Sequence, residues 1–204
     1  MAITSIKTGS SFTNLIKYND FLAGNPSYVP PSYESIATVT VGTATSTITF
    51  SSIPSTYASL QLRGLALDTN TSAAYTSLDV GIRFNSDTGA NYARHFLLGT
   101  GAAVDVGGTA STTTGSLIAA SLRNVAAANM WAVSITDIHD YASTTKNKTV
   151  RCIAGANVNT ADSVYVALSS SLWNSTAAIN TITLTRGQTN FAVGTTFALY
   201  GIRG

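Results

Sequence analysis

The residues best equipped for chemistry lie in the segment DIHDY, Asp137 to Tyr141, where two carboxylates flank His139. Along an extended strand Asp137, His139 and Tyr141 share a face, an arrangement that acid–base work or a metal ion would use. A polar strand end entering the loop YASTTKNK accounts for the same residues without chemistry. The other histidine is His95, beside Arg94 and Phe96, so one chain offers no set of several imidazoles. Serines and threonines abound, yet no G-x-S-x-G elbow appears, and two histidines leave any Ser-His-Asp arrangement to accident. Glycoside hydrolysis needs two carboxylates across a cleft. Glu34 is the sole glutamate, and Asp68, Asp79, Asp87, Asp105 and Asp162 fall mostly at expected strand ends or turns. Neither a P-loop nor a dinucleotide-binding fingerprint is present. The expectation is a non-enzyme, with no catalytic residue, no metal site and no cofactor.

Binding a sugar asks for less: an exposed aromatic ring with hydrogen-bonding neighbours. Trp173, beside Asn174 and Ser175, fits that description, as do Tyr75 and Tyr141, while a core position for Trp173 is the competing reading. Trp131 alternates with Val133 and Ile135 and is expected inside. The single cysteine, Cys152, alternates with Val150 and Ala154 and reads as a core thiol.

Charged residues make up 10% of the 204 positions and apolar ones 45%, so the polarity is carried by Ser and Thr. Mean hydropathy is +0.21 and net charge +2, a balance that favours a packed fold over disorder. No cluster of Lys or Arg exists beyond Lys146, Lys148 and Arg151, which argues against nucleic acid as a partner. The opening MAITSIKTGS lacks a signal-peptide apolar core, and no apolar run is long enough for membrane insertion.

Stepping outward to the elements, short segments of period-two alternation recur from Ile36 onward: Leu78, Val80, Ile82 and Phe84; Ile48 and Phe50; Trp131, Val133 and Ile135; Val164, Val166 and Leu168; Ile182 and Leu184; Phe197 and Leu199. Each puts alternate side chains on one face, taken as the inward one. In SLQLRGLALD the apolar phase switches from Leu60 and Leu62 to Leu65 and Leu67, which predicts a bulge at Gly64. The run GGTASTTTG from Gly107 to Gly115 predicts a mobile or partner-facing loop. The fold class is all-β: an antiparallel, jelly-roll-like β-sandwich over residues 34–204, preceded by an arm over residues 1–33. In that arm Phe12, Leu15, Ile16, Phe21 and Leu22 recur at helical spacing after Ser10 and Ser11 and before Gly24, predicting a short amphipathic helix. So short a helix is marginal alone, so its apolar face is expected to dock on the sandwich or, as favoured, on another subunit.

Three stretches carry a resemblance. YESIATVTVGTATSTITFSSIPSTYASLQLRG (Tyr33 to Gly64), RFNSDTGANYARH (Arg83 to His95), and the pair INTITL (Ile179 to Leu184) with NFAVGTTFALYGIRG (Asn190 to Gly204) are similar to a recurrent domain of tailed-bacteriophage virion proteins. The resemblance brackets residues 33 to 204 and implies a non-enzymatic particle protein of tail-fibre, head-fibre or capsid-decoration type. It also implies a location in the virion, after synthesis in the host cytoplasm, with the arm anchoring to other virion proteins. A homo-oligomer is expected from the sparse surface charge, and the resemblance to fibre proteins implies a trimer by preference. The alternatives are a glycan-binding module using Trp173 and Asn174, or a polysaccharide-degrading tail enzyme.

Overall fold

Period-two alternation needs a partner layer for its apolar side, and here two antiparallel sheets supply each other's cover. The computed structural model describes residues 32–71, 77–100, 102–122, 130–156, 165–187 and 189–203. The predicted arm helix and its residues Phe12, Leu15, Ile16, Phe21 and Leu22 lie outside them. The strands are β1 (Tyr33–Thr40), β2 (Thr47–Phe50), β3 (Ser59–Ala66), β4 (Ser77–Phe84), β5 (Tyr92–Gly99), β6 (Val104–Thr112), β7 (Gly115–Leu122), β8 (Ala132–His139), β9 (Lys148–Ala156), β10 (Tyr165–Trp173), β11 (Ile182–Thr185) and β12 (Thr196–Ile202). No helix occurs among the described residues.

One sheet runs β1-β12-β3-β8-β9-β10-β5-β6 and the other β2-β11-β4-β7. Strands β1 and β12, β2 and β11, β3 and β8, and β4 and β7 form nested antiparallel pairs. This is the pairing of an eight-stranded jelly roll, a long hairpin folded over itself, so the predicted sandwich holds. Two further hairpins, β5–β6 and β9–β10, are inserted into it and join the same sheet, doubling its width.

The apolar faces of β2, β4 and β11 are in register: Ile182 lies between Phe50 and Phe84, and Leu184 between Ile48 and Ile82. They meet Leu60, Leu62, Ile138, Val150, Phe197 and Leu199 of the larger sheet in one continuous core. A buried ion pair ties the sheets at one end. Asp68, just after β3, accepts from Arg186 Nε at 2.5 Å and from Thr189 Oγ1 at 2.7 Å, while Arg186 also donates to the Asp79 carbonyl of β4.

Strand β7 is an edge strand whose free backbone side points at the larger sheet. Serines of β10 satisfy it. The Ser116 amide donates to Ser171 Oγ at 3.1 Å, and the Ser171 hydroxyl donates back to the Ser116 carbonyl at 3.1 Å. The Ile118 amide reaches Ser169 Oγ at 3.4 Å, and the Tyr165 hydroxyl reaches the Ser121 carbonyl at 3.4 Å. The hydroxyls of β10 therefore have to face inward, because unpaired buried amides and carbonyls are costly.

That requirement overturns two expectations, and the packing and strand bounds overturn two more. In β10 the inward positions are Tyr165, Ala167, Ser169, Ser171 and Trp173, so Val166 and Leu168 face out. In β8 the inward set is Ala132, Ser134, Thr136 and Ile138, so Val133 and Ile135 also face out, and Trp131 is half-buried just before the strand. Gly64 is no bulge: β3 keeps an unbroken register with both β8 and β12, Leu65 is exposed, and Ala66 continues the inward face. The glycine is needed because a Cβ there would stand 2.4 Å from the Phe197 ring and 2.6 Å from Ser134 Oγ. The run from Gly107 to Gly115, read as a loop, instead completes edge strand β6, turns at residues 113–114 and starts β7.

Replacing Ser171 by Ala deprives a buried amide and carbonyl of their partner, and about 1–3 kcal/mol of stability is expected to be lost. Urea unfolding of the Ser171→Ala protein measures it, with the surface change Ser170→Ala as the near-silent comparison.

Candidate functional site

The residues singled out for sugar binding are built into the core. Trp173 is 2% exposed, in an aromatic cluster with Phe84 at 5.5 Å and Tyr92 at 6.4 Å between ring centres. Its indole N–H donates to Asp87 Oδ2 at 2.7 Å, so no platform for a sugar ring exists at Trp173; Asn174 is exposed beside it and its side chain accepts from Asn147. The correction has a local cause: Trp173 ends an inward-facing row whose phase the β10 serines set.

The motif RFNSDTGANYARH is accounted for by the same corner. Asn85 and Ser86 adopt positive φ of 51° and 58°, which turns the chain out of β4. The Asn85 side chain then bonds the Ala178 carbonyl and the Asn180 and Thr181 amides across the turn. Asp87 gathers Trp173 Nε1, Asn91 Nδ2 at 2.9 Å and the Gly89 amide at 2.8 Å. These donors, the indole first, hold its carboxyl below the usual range. The Phe84 amide donates to the Tyr92 hydroxyl at 3.0 Å, and burial pushes that phenol up to about 12.

The DIHDY residues separate as the strand ends. Asp137 and His139 lie on the outer face of β8, whereas Tyr141 turns inward, fully buried, where its hydroxyl donates to the Pro54 carbonyl at 2.6 Å and accepts from the Tyr57 amide at 3.0 Å. Burial would raise the Asp137 carboxyl, but Gln61 and Arg151, at 2.9 Å each, outweigh it and hold it low. His95 is exposed on β5, its ring over Gly108, where a Cβ would meet it at 2.4 Å. Cys152 is buried, and burial pushes its thiol up to about 11, so it stays a protonated core group at neutral pH. Lys148 is also fully buried, its ammonium donating to the Ser143, Lys146 and Thr176 carbonyls at 2.7, 2.6 and 3.1 Å, which pins two loops together. Among the described residues no three His, Cys, Asp or Glu side chains come together as a metal site, and no helix is long and apolar enough to cross a membrane.

Two surface features went unread in the sequence. One is a cleft of about 380 Å³ over β4, β5 and β7, lined by Asp79, Arg83, Arg94, Thr112, Ser116 and Thr185 among others. Asp79 Oδ2 accepts from Arg94 at 3.0 Å and from the Ser116 hydroxyl at 3.2 Å, and among the described residues Asp79 is the one carboxylate in the lining. The cleft suits polyhydroxyl ligands by hydrogen bonding, but lacks the second carboxylate that hydrolysis uses.

The other feature is the outer face of the eight-stranded sheet. Ile135, Ile153, Leu168, Leu97 and Val106 pair in succession from β8 to β6, forming one row across five strands. The next row runs from Leu65 through Val133, Gly155, Val166 and Gly99 to Val104. The aliphatic side chains of both rows are between 42% and 70% exposed. Arg63, opposite Ile135 at the β3 end of the first row, starts a polar chain in which Arg63 donates to Gln61, Gln61 to Asp137, and Arg151 to Asp137, with Arg63 set over the Tyr33 and Tyr200 rings. An antiparallel sheet with a solvated face normally turns polar side chains outward, so two exposed aliphatic rows depart from that pattern. No protein family, curated protein or solved structure matches this chain.

Because the Asp87 carboxyl is held low in the fold, its contribution to stability is complete above about pH 4 and is lost as pH falls through its folded value. Thermal unfolding midpoints are expected to drop below about pH 4, and Asp87→Asn to flatten that acid limb. Trp173→Ala is expected to cost about 3–5 kcal/mol as a core truncation, read by chemical denaturation.

Proposed function

We propose that this chain is a non-enzymatic structural component of a bacteriophage particle, a fibre, decoration or attachment subunit held in place by its N-terminal arm. The observation that carries this reading is the aliphatic outer face of the enlarged sheet, a surface whose use is to be covered. Supporting it, the side chains best suited to chemistry are engaged in holding corners: Tyr141 on Pro54, Asp87 on Trp173, Lys148 on loop carbonyls. The resemblance of residues 33–64, 83–95 and 179–204 to virion proteins names the kind of assembly. In it the arm, through Phe12, Leu15, Ile16, Phe21 and Leu22, contacts other virion proteins, and several copies, three by preference, stand together. The body was synthesised in the host cytoplasm and works on the particle.

The hydroxyl-lined cleft favours a second reading, a glycan-binding module for host-surface recognition. Its residues are Arg83, Arg94 and Ser116 in place of Trp173 and Asn174.

Deleting residues 1–33 is expected to leave a body with an unchanged β-type circular-dichroism spectrum that no longer enters particles in a complementation assay. Normal incorporation of the truncated chain would refute the anchoring role. For the second reading, glycan-array binding that vanishes in Arg94→Ala, with folding intact, is the expected result, and an array with no signal from the intact chain would dismiss it.

A further inference from the structure

We propose that the aliphatic outer face of the eight-stranded sheet is covered by a second copy of this chain, sheet against sheet. The proposal deepens the structural reading above and rests on it only for the presence of many copies in one place. Three features of the face select a copy of itself as occupant: its size, its charge and its relief.

Strands lie about 4.8 Å apart, so the six strands from β3 to β6 make a surface about 29 Å wide, and rows two residues apart are separated by about 6.8 Å. Counting the two aliphatic rows, the row of Asp137 and Arg151 and the row of Thr149 and Leu172, the face is about 27 Å long. Its projected area is then roughly 800 Å², what each partner contributes to an interface of standard size. A smaller patch would suit only a transient contact.

The charges on this face are few and compensated. Among the described residues the charged side chain in register with an aliphatic row is Arg63, at the β3 end beside Ile135, and at the margin Asp137 is paired with Arg151 at 2.9 Å. Arg63 is engaged with Gln61 and two tyrosine rings. A copy approaching face to face therefore meets almost no like-charge repulsion, and aliphatic rows set beside a polar margin are the make-up of a protein interface. A basic or acidic partner would find nothing to pair with, and an anionic membrane would find no ring of free cations.

The relief is self-complementary. Across the strands one row alternates Val133, Gly155, Val166, Gly99 and Val104, so side chains and glycine dips succeed one another at the strand spacing. A second copy turned over and shifted by one strand sets its valines into those dips. Sheets packed this way sit about 10 Å apart with interdigitated side chains. The inward serines of β10 leave the strand's aliphatic residues only the outer side.

The test is the molar mass of the purified full chain by light scattering or sedimentation at micromolar concentration. A multi-chain mass is expected, falling to that of one chain in Ile153→Lys/Val166→Lys, with circular dichroism unchanged. Thr49→Lys/Thr183→Lys, on the outer side of the smaller sheet, is expected to keep the multi-chain mass. Should the lysine pair fail to fold, Ile153→Thr/Val166→Thr decides, since it keeps strand-forming side chains and is expected to weaken association at least about tenfold. A single-chain mass for the unmodified protein overturns the proposal, as does a folded lysine or threonine variant that associates as the unmodified chain does. Failure of particle incorporation after deletion of residues 1–33 bears on the anchoring role alone, so the two readings fail separately.

Discussion

The arrangement depends on how one unpaired strand edge is satisfied. Strand β7 closes the four-stranded sheet with no strand beyond it, and its backbone groups are buried against the larger sheet. Ser169, Ser171 and Tyr165 of β10 supply the missing partners. The four pairings avoid desolvated amides and carbonyls at about 1–3 kcal/mol apiece, together at least as much as turning Val166 and Leu168 inward would gain at about 1.5–3 kcal/mol each. The phase of β10 follows from that comparison, and the neighbours locked in register with it inherit the same assignment of faces.

From this phase come both the hidden and the visible properties of the molecule. Trp173 is carried inward to meet Phe84, Tyr92 and Asp87, which removes it from any ligand. Val166 and Leu168 are carried outward into line with Ile153, Leu97 and Val133. The two inserted hairpins then matter: they widen the sheet from four strands to eight, and they supply most of the aliphatic residues that its outer side exposes.

The chemistry-bearing residues tell a consistent story at the corners. Tyr141 binds Pro54 and Tyr57, and Gly201 leaves room for the Tyr57 ring, where a Cβ would lie 2.4 Å away. Asp68 and Arg186 join the sheets, and Lys148 joins two loops. Buried polar groups in a small-charge protein serve here as fasteners whose partners come from distant parts of the chain, which makes the corner geometry specific.

Strand existence was legible in the residues because an alternating pattern of period two has few other physical outcomes, and Val80, Ile82, Phe84, Ile182, Leu184, Phe197 and Leu199 all occupy the inward positions their spacing suggests. Which side of a strand faces in was legible only where the alternative residues were plainly polar and unneeded inside. In β8 and β10 aliphatic residues alternate with Ser and Thr; the two phases of β10 differ by hydroxyl–backbone bonds to another sheet that alternation does not encode, and β8 takes its phase from the register it shares with β9 and β10. The cleft around Asp79 and Arg94 was unreadable for the same reason, since residues 79, 94 and 116 are brought together only by the pairing of β4 with β7 and of β5 with β10. By itself the sequence determined an all-β body, through local periodicity and turn residues; the tertiary structure decided the faces, because an edge strand's demand for hydrogen bonds is met by residues more than forty positions away.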